Sequence, residues 1–374
     1  MNSSSITKQI VVSATATRSS GTLTIYNQFL NHLPKHLEGK NYTIFVHPSM
    51  PQPKLDGVQY VAVHTEGQIQ RIMFDWSGCK RELGRLSVRP DAVVSLQNTG
   101  VRCLRDYPQL VYYHLPFPFY DYKYDLTKKR ELILELYKRI YPFFVTSSIT
   151  PTTHMVAQIP LIAEGIKKKF RVTTSHVHTL FPDIDAIVSE SVGKYELWSD
   201  ELSHIVFPAT AFRYKGHATI VEALSILKKR GIDNVKVHFT ITEGDYPELA
   251  QLVSDKDVME QVEFMGVVSH DTLLRMLKSS IGLLFPSVIE TLGLPLIEAA
   301  SLGLPVMVAD VRYAHEVIGD YEGTRFISPY NFHEWAEAIQ WMINNKPAYR
   351  EYKKAEGSSW DEFFRLIDEI SNEN

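Results

Sequence analysis

Cysteine is scarce and long apolar runs are missing, and these two absences exclude several classes of protein. The chain of 374 residues has two cysteines, Cys79 and Cys103, too few for a disulfide framework or a metal-binding cysteine motif. No window approaches the roughly 18 consecutive apolar residues of a membrane-spanning helix. The N-terminal residues lack the basic segment and apolar run of a secretory signal. We therefore expect a globular protein that works in the cytoplasm.

Charge is unevenly divided along a chain whose net charge is −4. Residues 1–190 hold 22 lysines and arginines against 15 aspartates and glutamates, and the remainder holds 17 against 28, so the two parts carry +7 and −11. A basic half is typical of a protein that meets a polyanion, either an anionic membrane or a nucleic acid. No RNA-recognition or helix-turn-helix signature is present. We therefore expect a membrane surface and no nucleic acid.

Short β-branched runs alternate with amphipathic segments, which indicates α/β layers with mostly parallel sheets. The chain is also longer than one core normally supports, so two domains are expected. The first series of strand candidates is QIVVSA, YTIFVH, YVAVHT, AVVSLQ and QLVYYH, and the second is HIVFPA, KVHFTI, QVEFMG, IGLLFP and LPVMVA. Helix candidates between the strands of the first series include TLTIYNQFLNHL and IQRIMFDWSGCKREL, and a polar stretch at residues 185–203 separates the two series. The pattern predicts two doubly wound units.

The stretch PSVIETLGLPLIEAASLGLPV carries two carboxylates in an almost wholly apolar setting. IGLLFP before it reads as a buried strand, Pro295 suits the first turn of a helix, and Gly303 suits its C-terminal end. Glu290 is then in the strand-to-helix loop and Glu298 about one turn inside the helix. Both are near the carboxyl ends of parallel strands, where ligands bind in open α/β sheets.

Backbone N–H groups at this helix start favour an anion such as phosphate. Carboxylates instead accept hydrogen bonds from hydroxyls, so a phosphate site flanked by Glu290 and Glu298 suits a nucleotide sugar. The residues alone leave an alternative open, in which Glu298 is a partly exposed helix residue and Glu290 a loop charge.

The longer segment FPSVIETLGLPLIEAASLGLPVMVADVRYAHEVIGD resembles the Glu-x7-Glu region of the family 4 retaining glycosyltransferases of GT-B fold. Weaker similarity covers SSGTLTIYNQFL, FMGVVSHDTLLRMLKSS and the last helix around Trp360. The resemblance implies two Rossmann-like domains with a cleft between them. These would be an acceptor-binding domain at 1–190, a nucleotide-sugar-binding domain at 191–355 and a helix at 356–374 that crosses back to the first domain.

The resemblance also implies roles for individual residues. Glu290 would face hydroxyls of the donor sugar, Glu298 would hold the ribose, and Gly21 would let the backbone approach the diphosphate. His114, after the strand QLVYYH, would lie near the donor sugar. The catalytic residues implied are Glu290, His114 and Lys215, and the donor-binding residues are Gly21, Arg213, Lys215, Gly266, Glu290, Thr291, Leu292, Gly293, Leu294 and Glu298.

The sequence departs from the family at the basic pair that binds the diphosphate. In VFPATAFRYKGH, Lys215 followed by glycine matches the family's lysine, but the arginine position falls on Ala209 or Thr210. Arg213 is nearby at the wrong spacing and is either a substitute or a solvated surface residue.

Two short motifs raise the question of a metal ion. Asp183 and Asp185 resemble the Asp-x-Asp of another glycosyltransferase fold but stand in the expected linker. His176 and His178 fall on one face of a predicted strand, with no third ligand nearby in sequence. We expect neither a metal nor another cofactor.

The acceptor is suggested by the segment YDYKYDLTKKRELILELYKRIYPFF, in which Leu132, Leu136, Tyr137 and Ile140 share a helical face. Together with Lys167–Lys169 it suits a helix at an anionic bilayer, and the alternative is an ordinary amphipathic helix that covers the sheet. We expect retaining transfer of a hexosyl group to a lipid-linked oligosaccharide in surface polysaccharide synthesis, at the inner face of the cell membrane. A sugar-nucleotide epimerase, a phosphorylase or a GT-B enzyme with a soluble acceptor is the alternative.

Overall fold

The computed structural model describes residues 7–16, 20–183, 197–352 and 359–373. The chain divides into two compact units, one of Met1–Asp183 with Glu356–Asn374 and one of Ile184–Ala355. The first segment of the first unit ends at Asp183, a few residues before the domain boundary expected at residue 190. We call them the N-terminal and the C-terminal unit.

Seven parallel strands form the sheet of the N-terminal unit, in the order β3-β2-β1-β4-β5-β6-β7. They are β1 Lys8–Ala14, β2 Lys40–Val46, β3 Val58–Ala62, β4 Ala92–Ser95, β5 Gln109–Tyr113, β6 His154–Ala157 and β7 Val177–Thr179. The first five match the predicted strands. The last two were missed because four and three residues carry too little periodicity to be recognised.

Six parallel strands form the sheet of the C-terminal unit, in the order β10-β9-β8-β11-β12-β13. They are β8 Ser203–Phe207, β9 Val235–Phe239, β10 Val262–Phe264, β11 Leu283–Phe285, β12 Val306–Ala309 and β13 Thr324–Ile327. The first five match the predicted strands, and β13 was not predicted.

Helices connect the strands of both sheets. They are α1 Ser20–His32, α2 Gln68–Met73, α3 Cys79–Leu86, α4 Lys129–Ser148, α5 Pro160–Lys169, α6 His217–Lys229, α7 Pro247–Asp255, α8 His270–Ser279, α9 Leu294–Ser301, α10 Arg312–Ile318, α11 Phe332–Asn345 and α12 Ser359–Ser371. Across the described ranges, we find no helix with the length and apolarity required to cross a bilayer.

The strand order reverses once in each sheet. Successive strands are added on one side of β1 and then, from β4 onward, on the other side. The same reversal occurs between β8 and β11. Loops that leave such neighbouring strands in opposite directions open a crevice at the carboxyl end of the sheet, which is where ligands bind in this class of fold. Each unit therefore has one position suited to a ligand.

A π-helical turn, Phe74–Gly78, interrupts the helix expected through IQRIMFDWSGCKREL. Gly78 permits the turn, because a Cβ there would lie 3.0 Å from Cδ2 of Phe74. Such turns insert an extra residue into a helix and are frequent at functional sites. The prediction of one continuous helix was therefore wrong.

Helix α12 packs on the N-terminal unit through Trp360. The indole is 2% exposed, stacks on Tyr112 with ring centroids 5.8 Å apart, and donates from Nε1 to Oε1 of Gln28 at 2.8 Å. Phe363 and Phe364 are buried beside it. The last residues of the chain thus complete the core of its first unit.

Trp360→Ala is expected to destabilise the N-terminal unit by about 3–5 kcal/mol, the usual cost of removing a buried aromatic side chain. Trp360→Phe should cost less, because it mainly leaves Gln28 without its donor. Urea unfolding followed by circular dichroism measures both. Phe332→Ala, at a partly exposed aromatic of α11, is the control, and equal stability of the Trp360→Ala variant and the wild type would contradict the assignment.

Candidate active site

The loops after β8 and β11 meet at the reversal point of the C-terminal sheet. The backbone N–H of Val288 donates to the carbonyl of Tyr214 at 2.9 Å. Gly216 has φ +83°, and a Cβ there would lie 2.8 Å from both the carbonyl oxygen and Cβ of Pro286. Only glycine fits this contact without strain, and the contact fixes the residue before it, Lys215, against the second loop.

Lys215 and Glu290 form an ion pair across these two loops. Nζ of Lys215 donates to Oε1 of Glu290 at 2.5 Å, and both side chains are largely buried. An ammonium group has three N–H donors, so this bond leaves two for other acceptors. The family resemblance implied separate roles for the two residues, and the fold places them in direct contact.

Helix α9 begins beside this pair, as predicted. Gly293 caps it in the left-handed conformation with φ +72°, Pro295 lies in its first turn, and Gly303 with φ +71° follows its end. The positive end of the helix dipole favours an anion at this point. Thr291 and Leu292 lead into the cap, and Leu292 is buried.

Glu298 lies one turn inside α9 and is 3% exposed. Its Oε1 contacts Nε2 of His270 at 2.9 Å, a hydrogen bond that raises the pKa of His270. Its Oε2 is buried and has no hydrogen-bond partner among the described residues. Side chains in a helix lean toward its N-terminus, and an unpaired buried oxygen is costly. This carboxylate oxygen can therefore accept one more hydrogen bond.

The other predicted donor-binding residues differ in their surroundings. Gly266, with φ +71°, is buried and uses its N–H to donate to the carbonyl of Ile241 at 3.1 Å. Gly21 lies in the first turn of α1, and a Cβ there would meet nothing within 4 Å. No contact in the described structure requires glycine at position 21, and its expected role toward the diphosphate stays a prediction. Ser19 and the Ser20 side chain lie outside the described residues.

No histidine supplies a positive charge in place of the arginine that the family has near residue 209. Ala209 is partly buried, and Thr210 and Arg213 are exposed. Burial, helped by Lys215, lowers the pKa of His217 to about 3, so its ring is neutral near pH 7. Lys215 and Arg213 are the cations of this segment.

His114 lines a cavity of about 520 Å³, and all lining residues of this cavity belong to the N-terminal unit. Its backbone N–H donates to Oδ1 of Asn98 at 2.5 Å, which turns the Asn98 Nδ2 toward Nε2 of His114 at 3.1 Å. The imidazole proton is then on Nδ1, which is buried without a partner among the described residues. Burial lowers the pKa of His114 to about 4, so the ring is a neutral donor.

Asp75 and Trp76, which the sequence analysis missed, line the same cavity from the π-helical turn. Nε2 of Gln97 donates to the two carboxyl oxygens of Asp75 at 3.0 and 3.2 Å, and Oε1 of Gln97 accepts from Thr15 at 2.9 Å. The guanidinium of Arg102 lies 4.1 Å over the Trp76 ring. The signal available in the sequence for these residues was an aspartate within an apolar helical pattern, with a glycine three residues later.

The exposed face of α4 carries large apolar side chains, unlike the exposed face of a helix that covers a sheet. Leu132, Leu136 and Ile140 are each at least 40% exposed, whereas Leu134 and Val145 face the interior. The alternative in which the stripe of Leu132, Leu136 and Ile140 packs on the sheet is therefore wrong. Tyr137, expected on that stripe, is half-buried, and its hydroxyl accepts from Gln68 at 2.6 Å.

The histidines and aspartates that raised the question of a metal ion contact other side chains. His176 lies in a 3-10 turn and only His178 on β7, so their predicted common strand face is wrong. His154 of β6 stacks on both rings, at centroid distances of 4.2 and 5.2 Å. Asp183 pairs with His32 at 2.8 Å, and Asp185 lies outside the described residues. Within the described ranges no group of three His, Cys, Asp or Glu side chains is arranged to hold a metal.

Residues 194–358 match the family model of the group 1 glycosyl transferases. The match covers most of the C-terminal unit and less than half of the chain. Among curated relatives, the O-antigen chain mannosyltransferase RfbU of Salmonella typhimurium is 22% identical over 204 residues, 54% of each chain. The chain spans about half the length of the curated relatives it matches first.

Solved structures confirm the GT-B fold class. WaaG, a glycosyltransferase involved in lipopolysaccharide biosynthesis, aligns with a TM-score of 0.66 and 15% identity over 90% of this chain and 91% of WaaG. Anabaena Alr3699/HepE, solved in complex with UDP and glucose, aligns with a TM-score of 0.60 and 12% identity over 90% of both chains.

Gly216→Ala is expected to destabilise the C-terminal unit by about 1–3 kcal/mol and to displace Lys215, because it adds backbone strain and a contact with Pro286. Gly231→Ala is a matched control, since Gly231 has φ +75° and a Cβ there meets nothing within 4 Å. Thermal unfolding of the two variants separates contact from strain. Equal destabilisation by both would show that the Gly216 contact is unimportant.

A pH dependence follows from Asp75. Burial, with help from Cys103, raises its pKa from 3.8 to about 8, against the effects of the Gln97 hydrogen bond and Arg71. The folded protein then retains a proton that the unfolded chain releases, so stability falls as pH rises through this interval. The melting temperature of Asp75→Asn minus that of the wild type should increase from pH 5 to about 8 and then level off. Asp106→Asn, at an exposed carboxylate, should show no such trend.

Proposed function

We propose that this protein is a retaining glycosyltransferase that moves a sugar from a nucleoside diphosphate sugar to a hydroxyl of a lipid-linked oligosaccharide in surface polysaccharide synthesis. The main support is the buried Oε2 of Glu298, one turn inside α9, which has no hydrogen-bond partner among the described residues, together with the Lys215–Glu290 ion pair on the loop that leads into this helix. A hydroxyl acceptor, an anion-binding helix end and a cation are the three groups that a nucleoside diphosphate sugar requires. The group 1 match and the sugar-transferring relative support the same reaction class.

In the proposed reaction the bond from the anomeric carbon to the diphosphate oxygen breaks with both electrons remaining on oxygen. Negative charge grows on the diphosphate, and the sugar becomes oxocarbenium-like. Lys215 donates its two remaining N–H groups to that charge, and the N-terminus of α9 adds the field of its dipole. These charges are held in position before the reaction starts, which is why they lower its barrier.

The roles of the two glutamates follow from their surroundings. Oε2 of Glu298 accepts from a ribose hydroxyl while Oε1 stays bonded to His270. Glu290 accepts from hydroxyls of the transferred sugar and orients Lys215. The segment at Gly266 faces the base. Retention follows from the resemblance to family 4, for which we propose attack of the acceptor hydroxyl on the face that the diphosphate leaves, with the hydroxyl proton passing to the departing diphosphate oxygen. The step uses no covalent protein intermediate and no metal ion.

The proposed place of action is the cytoplasmic face of the cell membrane, reached through the N-terminal unit. Its support is the +7 charge of residues 1–190 and the exposed apolar residues of α4, next to Lys129 and Arg130. Basic residues near an anionic bilayer contribute roughly 1 kcal/mol each.

Glu298→Ala is expected to weaken binding of free nucleoside diphosphate about ten- to a hundredfold, because hydrogen bonds to a charged group are worth roughly 1.5–3 kcal/mol. Glu290→Ala should change that affinity little and lower turnover instead. Calorimetry with uridine, guanosine and thymidine diphosphates measures this, with Glu337→Ala on the surface of α11 as the control. Equal losses at the two sites would contradict the division of roles.

Lys215→Ala should lower kcat on the order of 100-fold and change donor affinity less, since only interactions stronger in the transition state raise the rate. Slow hydrolysis of a panel of nucleotide sugars provides the assay before the acceptor is known. Arg213→Ala is the comparison. An equally severe loss there would assign the leaving-group charge to Arg213, and no effect in either variant would argue against diphosphate departure at this site.

A further inference from the structure

We propose that Cys79 and Cys103 form a reversible thiol–disulfide site, at which a low-molecular-weight disulfide such as oxidised glutathione joins the two side chains by an internal disulfide bond. The site lies in the N-terminal unit, and the inference does not depend on the proposed function. Three observations carry it, which are the contact between the two thiols, their unequal exposure and their position beside residues that line the cavity.

The first observation is that the only two cysteines of the chain are in contact although they are distant in sequence. Cys79 begins α3, and Cys103 is the middle residue of a 3-10 turn, Arg102–Leu104, that packs against α3. A hydrogen bond joins the two thiols, and both pack in the same apolar cluster. A disulfide requires two cysteine side chains that face each other at short range, and the fold supplies this arrangement.

The second observation is that the two thiols have different environments. Cys79 is 0% exposed, whereas Cys103 is partly exposed. The hydrogen bond from Cys79, helped by the backbone N–H and the charge of Lys80, lowers the pKa of Cys103 to about 7 against the effect of burial. The same hydrogen bond raises the pKa of Cys79. Because the thiolate is the form that attacks a disulfide, Cys103 is the nucleophile and Cys79 the second, resolving thiol.

Oxidation then takes two exchanges. In the first, the Cys103 thiolate attacks one sulfur of the small disulfide, forms a mixed disulfide and releases one small thiolate. Cys103 no longer carries the charge that helped to raise the pKa of Cys79, so Cys79 loses its proton more readily.

In the second exchange, the Cys79 thiolate attacks the Cys103 sulfur, forms the internal disulfide and releases the second small thiolate. The two protein thiols are oxidised and one small disulfide is reduced. The protons of the two cysteines pass to the two small thiols that are released. An excess of the small thiol reverses both exchanges.

The third observation is the position of the pair behind the wall of the cavity. Cys79 directly follows the π-helical turn that carries Asp75 and Trp76. Arg102, directly before Cys103, covers the Trp76 ring at 4.1 Å. A disulfide would fix Arg102 against this turn, and it would remove the Cys103 charge that helps to raise the pKa of Asp75. The redox state of the pair thus acts on one wall of the cavity.

The test incubates the full chain with reduced and oxidised glutathione at a series of ratios, followed by acid quenching and measurement of the intact mass. We expect the wild type to lose two hydrogen atoms without retaining glutathione, and to recover them in excess reduced glutathione. Cys79→Ala should instead retain one glutathione on Cys103, because the resolving thiol is absent. Cys103→Ala should react about tenfold or more slowly than the wild type, because a buried thiol is inert.

The pH dependence of Cys103 alkylation by iodoacetamide is a second readout. In the wild type its midpoint should lie near pH 7, below the value of about 8.5 for a free cysteine. Cys79→Ala and Lys80→Gln should each move the midpoint upward, because they remove a hydrogen bond and a positive charge from the thiolate. Arg81→Gln removes a positive charge one residue further along α3 and is the matched control, with an unchanged midpoint.

Three results would overturn the inference. A wild type that keeps glutathione on Cys103 while Cys79 stays reduced would show that the two sulfurs do not reach each other. A disulfide-linked dimer on a non-reducing gel would assign Cys103 to a contact with a second copy of this chain. An unchanged mass at every glutathione ratio would leave the pair as a packing contact. These wild-type masses decide the question even where Cys79→Ala fails to fold, and none of them depends on glycosyl transfer.

Discussion

The contact of Gly216 with Pro286 is the constraint on which the candidate donor site depends. Parallel pairing of β8 with β11 brings their following loops side by side, but pairing alone allows many loop conformations. A glycine with positive φ, pressed against the backbone of the second loop, selects one. Lys215 then meets Glu290, and the second loop continues through Gly293 into α9, where Glu298 is buried. One backbone contact thus relates a cation, two carboxylates and a helix end.

The two units use the same topology for different chemistry. Each opens a crevice where its strand order reverses. In the C-terminal unit the crevice has charged groups and a helix dipole, which suit a phosphorylated ligand. In the N-terminal unit it has neutral donors, a carboxyl group with a raised pKa and an apolar rim. Both contain a buried polar atom without a hydrogen-bond partner among the described residues, Oε2 of Glu298 in one and Nδ1 of His114 in the other. Such atoms lower stability, and their cost is accounted for when a ligand completes the hydrogen bonds.

The sequence predicted the loop and the helix of the candidate donor site because their signals are local. A glycine, a proline and two glutamates fall within 21 residues, from Pro286 to Val306, directly after a buried strand, and each has a meaning at its own position. The same holds for most strands.

The cavity of the N-terminal unit could not be predicted in this way, because Asp75 is held by Gln97, and Gln97 by Thr15, through contacts between residues distant in sequence. The third stacked histidine, His154, belongs to a strand too short to recognise. For α4, periodicity showed an apolar face, but only the fold shows that this face points to solvent. Gly21 lies in a helical turn with open space around it, and its expected role toward the diphosphate stays a prediction.

The π-helical turn at Phe74–Gly78 makes the cavity sensitive to chain length. It holds one residue more than an α-helical turn, so deletion of a single residue such as Ser77 would let α2 and α3 join as one regular helix. Because successive residues of an α-helix are rotated by about 100°, α2 would turn by that angle relative to α3 and Asp75 would leave Gln97. Among related chains, the presence or absence of one residue here would then change the shape and the polar lining of the cavity while the sheet and its core stay the same.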